Sequence, residues 1–332
     1  MVLSSDSPRS DDRLVVVTGA NGFIGQALCA HFLANGRPHR RIVRTLPEGA
    51  AAPADTVVLG DLASATEEGL AAALDGAFAL VHVAARVHMP RETGKESAVA
   101  FHAANVVATQ RLAAAAVRAG MQRIVLTSTI KVHGETTRPG RPFRADDPFD
   151  AQDAYARSKA DAERALVVAC SGTSTAAIIV RLPLVYGPGV KGNFLVLLDA
   201  VARRAPLPIG AIENRRDLLY VGNLVHAIVG LLECNEPPTG AWLAADGEAL
   251  STPDLVRRIA STLDVEPKML SIPLPLFKLA AILAGRASMV PRLAGSLEVD
   301  ASPLMQKTGA MPFTVDQGLA ATAKWWRTRH SI

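Results

Sequence analysis

Through the first half of the chain, unbroken apolar runs alternate with stretches whose apolar positions recur every three to four residues. The runs Leu14–Val17, Arg41–Val43, Thr56–Leu59, Ala79–Val83, Arg123–Thr127 and Ala176–Val180 predict strands. The periodic stretches predict helices from Phe23 to the Asn35-Gly36 stop, over Glu67–Leu74, over the alanine-rich Asn105–Ala119, and over Tyr155–Cys170. Strands without polar alternation belong to a sheet covered on both faces, and helices between them make that sheet parallel. The predicted fold class is therefore α/β, a doubly wound parallel sheet. After Gly187 the rhythm breaks, with Pro188, Gly189, Gly192, Pro206, Pro208 and Gly210 close together. This predicts a smaller C-terminal lobe. Residues 12–186 and 217–246 are expected to form the sheet domain, the chain returning to it around Leu219–Leu232 and Ala241–Ala245. Residues 187–216 and 247–330 are expected to form the lobe, and 1–11 a loose tail.

Composition narrows the class. The 332 residues are 49% hydrophobic and 20% charged, with a net charge of +4, which excludes a disordered chain. Cys29, Cys170 and Cys234 lie far apart, so neither a disulfide scaffold nor a cysteine zinc site is expected, and a reducing cytoplasm suits them. The histidines show no ligand spacing, so no metal is expected. Aromatic residues make up only 5% and do not interleave with the cluster Arg37, Arg40, Arg41, Arg44, which argues against nucleic acid as a partner. The apolar stretch Ile272–Gly285 carries Pro273, Pro275 and Lys278 and is shorter than the ~20 residues a membrane span needs. It is expected to be a helix packed in the second lobe.

Candidate chemistry falls at predicted strand ends, where a doubly wound sheet places its ligand. Thr18 to Gly25 joins the first strand to the first helix with the spacing Gly19-x-x-Gly22-x-x-Gly25. Glycines let a phosphate approach the backbone, and the helix N-terminus offers free N–H groups and partial positive charge. A dinucleotide site would have an acid after the second strand to hold the ribose diol. Here that place is taken by Arg44, or by Arg41 under a shifted register, so a 2′-phosphate and NADP are open beside NAD. Asp61, after the third strand, is a candidate for the adenine amino group or a helix cap.

Tyr155 and Lys159 stand four residues apart on a predicted helix, hence on one face. A phenol is a weak acid near pH 10, and a neighbouring ammonium would stabilise its ionised form. Such a pair can exchange a proton with an alcohol while hydride leaves the same carbon. Ser128 and Thr129, just after the fifth strand, are both candidates to orient the reacting oxygen.

With these elements in order, the chain resembles the extended short-chain dehydrogenase/reductases, within the NAD-dependent epimerase/dehydratase family. Also carrying the resemblance are Asp61-Leu62, His82-Val83-Ala84-Ala85, Asn105, Thr127–Gly134 and Arg181–Pro188. It spans about Leu14 to Trp326 and implies a Rossmann-like domain with a nucleotide-sugar lobe. Position by position, it implies catalytic roles for Thr129 (with Ser128), Tyr155 and Lys159. It implies cofactor contacts from Gly19, Asn21, Gly22, Phe23, Ile24, Gly25, Arg44, Asp61, Leu62, Ala84, Ala85, Asn105, Tyr155, Lys159 and Pro183. It implies substrate contacts from Asn193, Phe194, Arg216 and Arg292, the two arginines on a diphosphate. The sequence departs from the family pattern at His133, within Val132-His133-Gly134, and at Arg44. The implied reaction is at C4 of a UDP-hexose, either epimerisation with NAD or 4-keto reduction with NADPH. A non-catalytic dinucleotide sensor is the alternative of another class. Family members pair through the helices around Asn105 and Tyr155, which implies a homodimer built on alanine-rich faces (Ala113–Ala116, Ala160, Ala162, Ala165).

Overall fold

The computed structural model describes residues 13–87, 95–138, 140–283 and 290–330. The expected tail lies outside them. Strands β1 (Val15–Thr18), β2 (His39–Val43), β3 (Thr56–Val58), β4 (Ala79–His82), β5 (Arg123–Thr129) and β6 (Ala176–Leu182) form one sheet, later joined by β9 (Gly240–Leu243). Its order is β3-β2-β1-β4-β5-β6-β9, parallel from β3 through β5. Every residue of β1, β4, β5 and β6 is buried, as their apolar runs require. The order reverses between β1 and β4, so the ligand crevice of such a sheet opens beyond Thr18 and His82.

Helices α1 (Phe23–Ala34) and α2 (Glu67–Leu74) follow β1 and β3. Before β5 the chain forms α3 (Lys95–Phe101), a π-helical segment (His102–Val107) and α4 (Ala108–Arg118). The helix expected to start at Asn105 thus starts earlier, and Asn105 lies within a wide turn. Helix α5 (Ala154–Cys170) precedes β6, capped by the Asp153 carboxylate on the Ala156 N–H at 2.6 Å. Ala113, Ala115 and Ala116 of α4 share one apolar core with Ala162 and Leu166 of α5, Leu80, Ile124 and Leu126. Ala160 is buried as well. Of the alanines expected on a dimer face, these five are buried within the chain, while Ala114 and Ala165 are half-buried.

Strand β7 (Leu184–Tyr186) pairs with β8 (Leu218–Tyr220) in a separate two-stranded sheet. The return near Leu219 therefore does not re-enter the main sheet, whereas the one at 240–243 does. Helices α6 (Asn193–Ala202), α7 (Val221–Glu233), α8 (Thr252–Leu263), α9 (Leu274–Leu283), α10 (Val290–Ala294), α11 (Ser302–Thr308) and α12 (Val315–His330) complete the order.

The chain divides into two compact units. One runs through Thr129 and takes in Asp153–Val180 and Ile228–Ala241; the other holds Ile130–Gln152, Arg181–Ala227 and the chain from Trp242 onward. The expected division followed sheet strands alone. Contacts instead group 130–152 with the second unit, because Phe143 bonds with Glu298 and Asp300 backbone and packs with Ile130, Leu297 and Val299.

Helix α9 differs from its expectation as a packed helix. Phe277 is buried, but Leu276, Leu279, Ile282 and Leu283 are exposed. The last residues of that apolar stretch, 284–285, lie outside the described ones. Among the described residues, no helix is long and apolar enough to cross a membrane.

Candidate active site

The glycine turn is built as its spacing requires. Gly19 has φ +66°, and a Cβ there would stand 2.7 Å from the Ala84 nitrogen. Gly25 sits under the turn, where a Cβ would stand 2.2 Å from the Gly19 carbonyl oxygen. Neither place admits another residue without backbone movement. Gly22 caps α1 without a side-chain bond, and the first turn, with Phe23 and Ile24, holds no acid. The helix thus presents N–H donors that no carboxylate has claimed, which fits a pyrophosphate.

At the far end of this groove, Arg41 Nη2 donates to Asn21 Oδ1 at 3.1 Å, inside the glycine turn. Arg44, just past β2, is 74% exposed in its side chain and lies 3.6 Å from Asp61. Of the two registers the sequence left open, Arg41 braces the turn and Arg44 remains outward. Asp61 also accepts from the Ala63 N–H at 3.0 Å, while Thr66 caps α2, so Asp61 closes a local turn rather than capping that helix. Leu62 is half-buried beside it, and Ala85 is exposed next to Ala84.

Behind the turn lies a buried polar chain. The Ala84 N–H donates to Thr18 Oγ1 at 3.3 Å, and Thr18 Oγ1 meets His82 Nδ1 at 2.6 Å. His82 Nε2 meets Thr109 Oγ1 at 3.2 Å, and Thr109 donates to the Asn105 carbonyl at 2.6 Å. Because the Thr109 proton is used on Asn105, His82 must donate from Nε2 and accept at Nδ1. Burial, and then the Lys159 ammonium, push His82 down to about 3, so it is neutral. The Asn105 amide accepts from the Arg86 N–H at 2.8 Å and donates to Ser158 Oγ at 2.9 Å, and Ser158 donates to the Tyr155 carbonyl at 2.8 Å. The wide turn thus fixes both the loop after β4 and the start of α5.

Tyr155 is half-buried with its ring 6.0 Å from that of Phe101. Burial, then the capping carboxylate of Asp153, push its phenol up to about 12, while a hydrogen bond with Thr129 works the other way. Lys159 is 2% exposed; burial pulls its ammonium down to about 8 against the pull of Glu163. This corrects the expectation of a phenol held ionised by its neighbouring ammonium. In the structure the forces on Tyr155 come from desolvation, Asp153 and Thr129, and the phenol keeps its proton at neutral pH. The hydroxyl pair is also resolved: Thr129 bonds Tyr155, whereas Ser128 donates to the buried carboxylate of Glu163. Glu163 is a residue the sequence reading missed, although it stands one turn beyond Lys159 on α5.

In the second unit, Pro183 is buried between β6 and β7. Asn193 is exposed at the start of α6, after Gly192 with φ +66°. Phe194 is 2% exposed and stacks on Tyr186 at 5.3 Å, so its side chain belongs to the core and only its backbone could meet a ligand. Arg216 donates to the Gly295 carbonyl at 2.7 Å and the Pro291 carbonyl at 3.3 Å, next to Arg292 on α10. Arg292 Nε is buried without a hydrogen-bond partner, an orphaned donor of the kind an anion would satisfy. His133, the departure within Val132-His133-Gly134, takes a structural part: Arg181 donates to its Nε2 at 2.8 Å, and its Nδ1 faces the Pro148 carbonyl at 3.2 Å. No group of potential metal ligands occurs among the described residues.

Residues 15–242 match the NAD dependent epimerase/dehydratase family. The chain is similar to a UDP-glucose 4-epimerase of Vibrio cholerae, 33% identical over 320 residues, covering 95% of this chain and 96% of that one. It is also similar to a 2-alkyl-3-oxoalkanoate reductase of Stenotrophomonas maltophilia (strain K279a), 30% identical over 260 residues and 74% of each chain. Among solved structures it resembles MoeE5 in complex with UDP-glucuronic acid and NAD, with a TM-score of 0.74 and 25% identity over 96% of this chain and 99% of that one.

Proposed function

The chain belongs to the NAD dependent epimerase/dehydratase family, and from that premise we propose that it is an NAD(P)-dependent UDP-hexose 4-epimerase. The observation that carries the reading is the convergence of Tyr155, Thr129 and Lys159 with the acid-free glycine turn at the carboxyl edge of one sheet, linked through His82 and Thr18. The similarity to the Vibrio cholerae UDP-glucose 4-epimerase over nearly the whole length of both chains supports the substrate class. The oxoalkanoate reductase is the competing analogy, and the two cations Arg216 and Arg292, brought together as Arg216 bonds the Pro291 and Gly295 carbonyls, favour a diphosphate over an acyl chain.

When bound, the pyridine nucleotide supplies the acceptor and donor of hydride. The N–H groups from Gly22 to Gly25 would hold its pyrophosphate, and Lys159 would hold the nicotinamide ribose. Asp61, Leu62, Ala84, Ala85, Asn105 and Pro183 complete that binding surface. Thr129 orients the C4 oxygen toward Tyr155. The Tyr155 phenol, protonated in the free chain, donates its proton to a C4 carbonyl; in the opposite direction it takes the alcohol proton only after its own proton has passed to solvent. Arg216 and Arg292 take the substrate diphosphate, since a guanidinium fork matches phosphate oxygens. Asn193 and the Phe194 backbone meet the sugar nucleotide, and the assembly expected is a homodimer.

One observation favours a second reading. Arg44 stands outward where an acid would hold a ribose diol, which suits a 2′-phosphate and hence 4-keto reduction with NADPH. The two are separated by denaturing the purified protein and identifying the released nucleotide, then supplying UDP-galactose with NAD+. Bound NAD and formation of UDP-glucose are expected. An empty site, NADPH binding and no interconversion would overturn the epimerase in favour of the reductase.

A further inference from the structure

Helix α9 turns more apolar surface outward than inward. Among its described side chains only Phe277, at 9% exposure, is buried. At about 100° per residue, Leu276, Leu279, Ile282 and Leu283 fall on one stripe about 120° wide, on the side away from Phe277. All four are open to solvent, from 53% exposure at Leu279 to 79% at Leu283. Leu270 and Leu274 are exposed on the approach to the helix. Single exposed leucines are ordinary, but a contiguous stripe of them marks a contact surface.

Charge decides what covers it. The whole chain is nearly balanced, with 35 basic and 31 acidic residues. Between Glu266 and Glu298, however, it carries Lys268, Lys278, Arg286 and Arg292 and no carboxylate. The segment alongside is of the same kind. Leu207 and Gly210 bond backbone to backbone with Lys268 and Leu270, and between Asp199 and Glu213 stand Arg203 and Arg204, again with no carboxylate. Lys268, Lys278, Arg203 and Arg204 are exposed, and one acid, Glu266, lies 3.9 Å from Arg204. Lys278 borders the leucine stripe, about 40° beyond Ile282 around the helix.

We propose that the α9 face docks on an anionic lipid bilayer, the leucine stripe entering the acyl boundary while Lys278, Lys268 and the neighbouring arginines meet lipid phosphates. The 10 residues of α9 are too few to span a hydrocarbon core of about 30 Å, but they suit a helix lying in the interface. A second copy of the chain fits this face poorly. A two-fold contact sets a patch against itself, so it would gather these cations with no carboxylate to answer them. The cores of protein interfaces are also poor in lysine. The proposal does not depend on which reaction the chain catalyses.

The test is co-sedimentation of the full chain with vesicles of phosphatidylcholine, alone or mixed with an equal part of phosphatidylglycerol. Binding is expected on the mixed vesicles at about 0.1 M salt, falling as salt rises, with little on phosphatidylcholine alone. Leu279→Ser combined with Leu283→Ser should weaken binding by about tenfold or more, and so should Lys268→Gln combined with Lys278→Gln. Both pairs should keep the wild-type melting temperature, since the changed side chains lie outside the core. Wild type that stays in the supernatant beside mixed vesicles at low salt overturns the proposal, as does binding that the leucine pair leaves unchanged. Light scattering on the same proteins tests the other occupant: a dimer that the leucine pair converts to monomer, with no vesicle binding, gives the face to a second copy and overturns the proposal. Should the leucine pair lower the melting temperature, the lysine pair decides, and vesicle binding that it leaves unmoved overturns the proposal.

Discussion

Acid should weaken this fold through His82 in particular. The ring is held neutral in the native chain, pushed down to about 3 by burial and by the Lys159 cation. Its two nitrogens are committed, Nδ1 as acceptor from Thr18 at 2.6 Å and Nε2 as donor to Thr109 at 3.2 Å. A second ring proton would meet the Thr18 hydroxyl, which would have to turn round and give up the bond it makes. In the unfolded chain the same histidine titrates near its ordinary 6.5. Between about pH 6.5 and 3 the unfolded state therefore binds a proton that the folded state refuses, and stability falls as pH falls through that window. A pH of 5 lies ~1.5 units below the unfolded value, which corresponds to a loss of about 2 kcal/mol relative to pH 7. Other groups titrate over the same range, so the measurement is a difference. Urea unfolding at pH 7 and pH 5 is compared for wild type and His82→Asn, whose amide does not titrate over this range. Wild type should lose about 2 kcal/mol more between the two pH values than the variant does. Equal losses would show that His82 accepts its proton in the native state, and the account of the buried chain would be wrong.

Four further outcomes follow from the site. Tyr155→Phe should lower turnover by about 10²–10⁴-fold while cofactor affinity changes little, and wild-type turnover would refute its acid/base role. Arg44→Ala should weaken NADPH binding about tenfold in a fluorescence titration and leave NADH binding within about twofold, since a single exposed charge-assisted bond is removed; equal effects on both nucleotides would show that Arg44 does not meet the 2′-phosphate. Arg292→Ala should weaken UDP binding about tenfold by calorimetry, the loss of one phosphate contact, with the melting temperature unchanged; undiminished affinity would remove it from the diphosphate site. Gly25→Ala would place a Cβ 2.2 Å from the Gly19 carbonyl oxygen and should cost about 1–3 kcal/mol with loss of nucleotide binding, read by thermal unfolding with and without NAD; an unaltered transition would mean that the turn yields freely.

The strands of the main sheet were legible because both faces of β1, β4, β5 and β6 are covered, and such strands have nothing polar to hide them. The glycine turn was legible because its steric demand admits one residue type. The fate of α9 was not, since an apolar helix reads the same whether buried or exposed. Nor was the state of Tyr155. Spacing alone puts Lys159 on its face, but the phenol's ionisation depends on desolvation and on the capping carboxylate of Asp153, neither of which is a property of helix periodicity. His133 stood out as a departure, and only the meeting with Arg181 shows that it fills a structural position. Glu163 had a signal, a third polar residue on the Tyr155/Lys159 face. Its meaning needed the Ser128 hydroxyl, which arrives from a strand more than thirty residues earlier.

The π-helical stretch at His102–Val107 has an evolutionary corollary. Such a widened turn is an ordinary helix carrying one surplus residue. Loss of that residue would rotate everything on its amino-terminal side by about 100° relative to α4, since a turn takes 3.6 residues. Substitutions elsewhere in the segment leave in place the bonds of the Asn105 amide with Arg86 and Ser158. Deletion would swing the amide away from both at once, so lineages that keep this loop anchored should vary the segment freely outside Asn105 but not change its length.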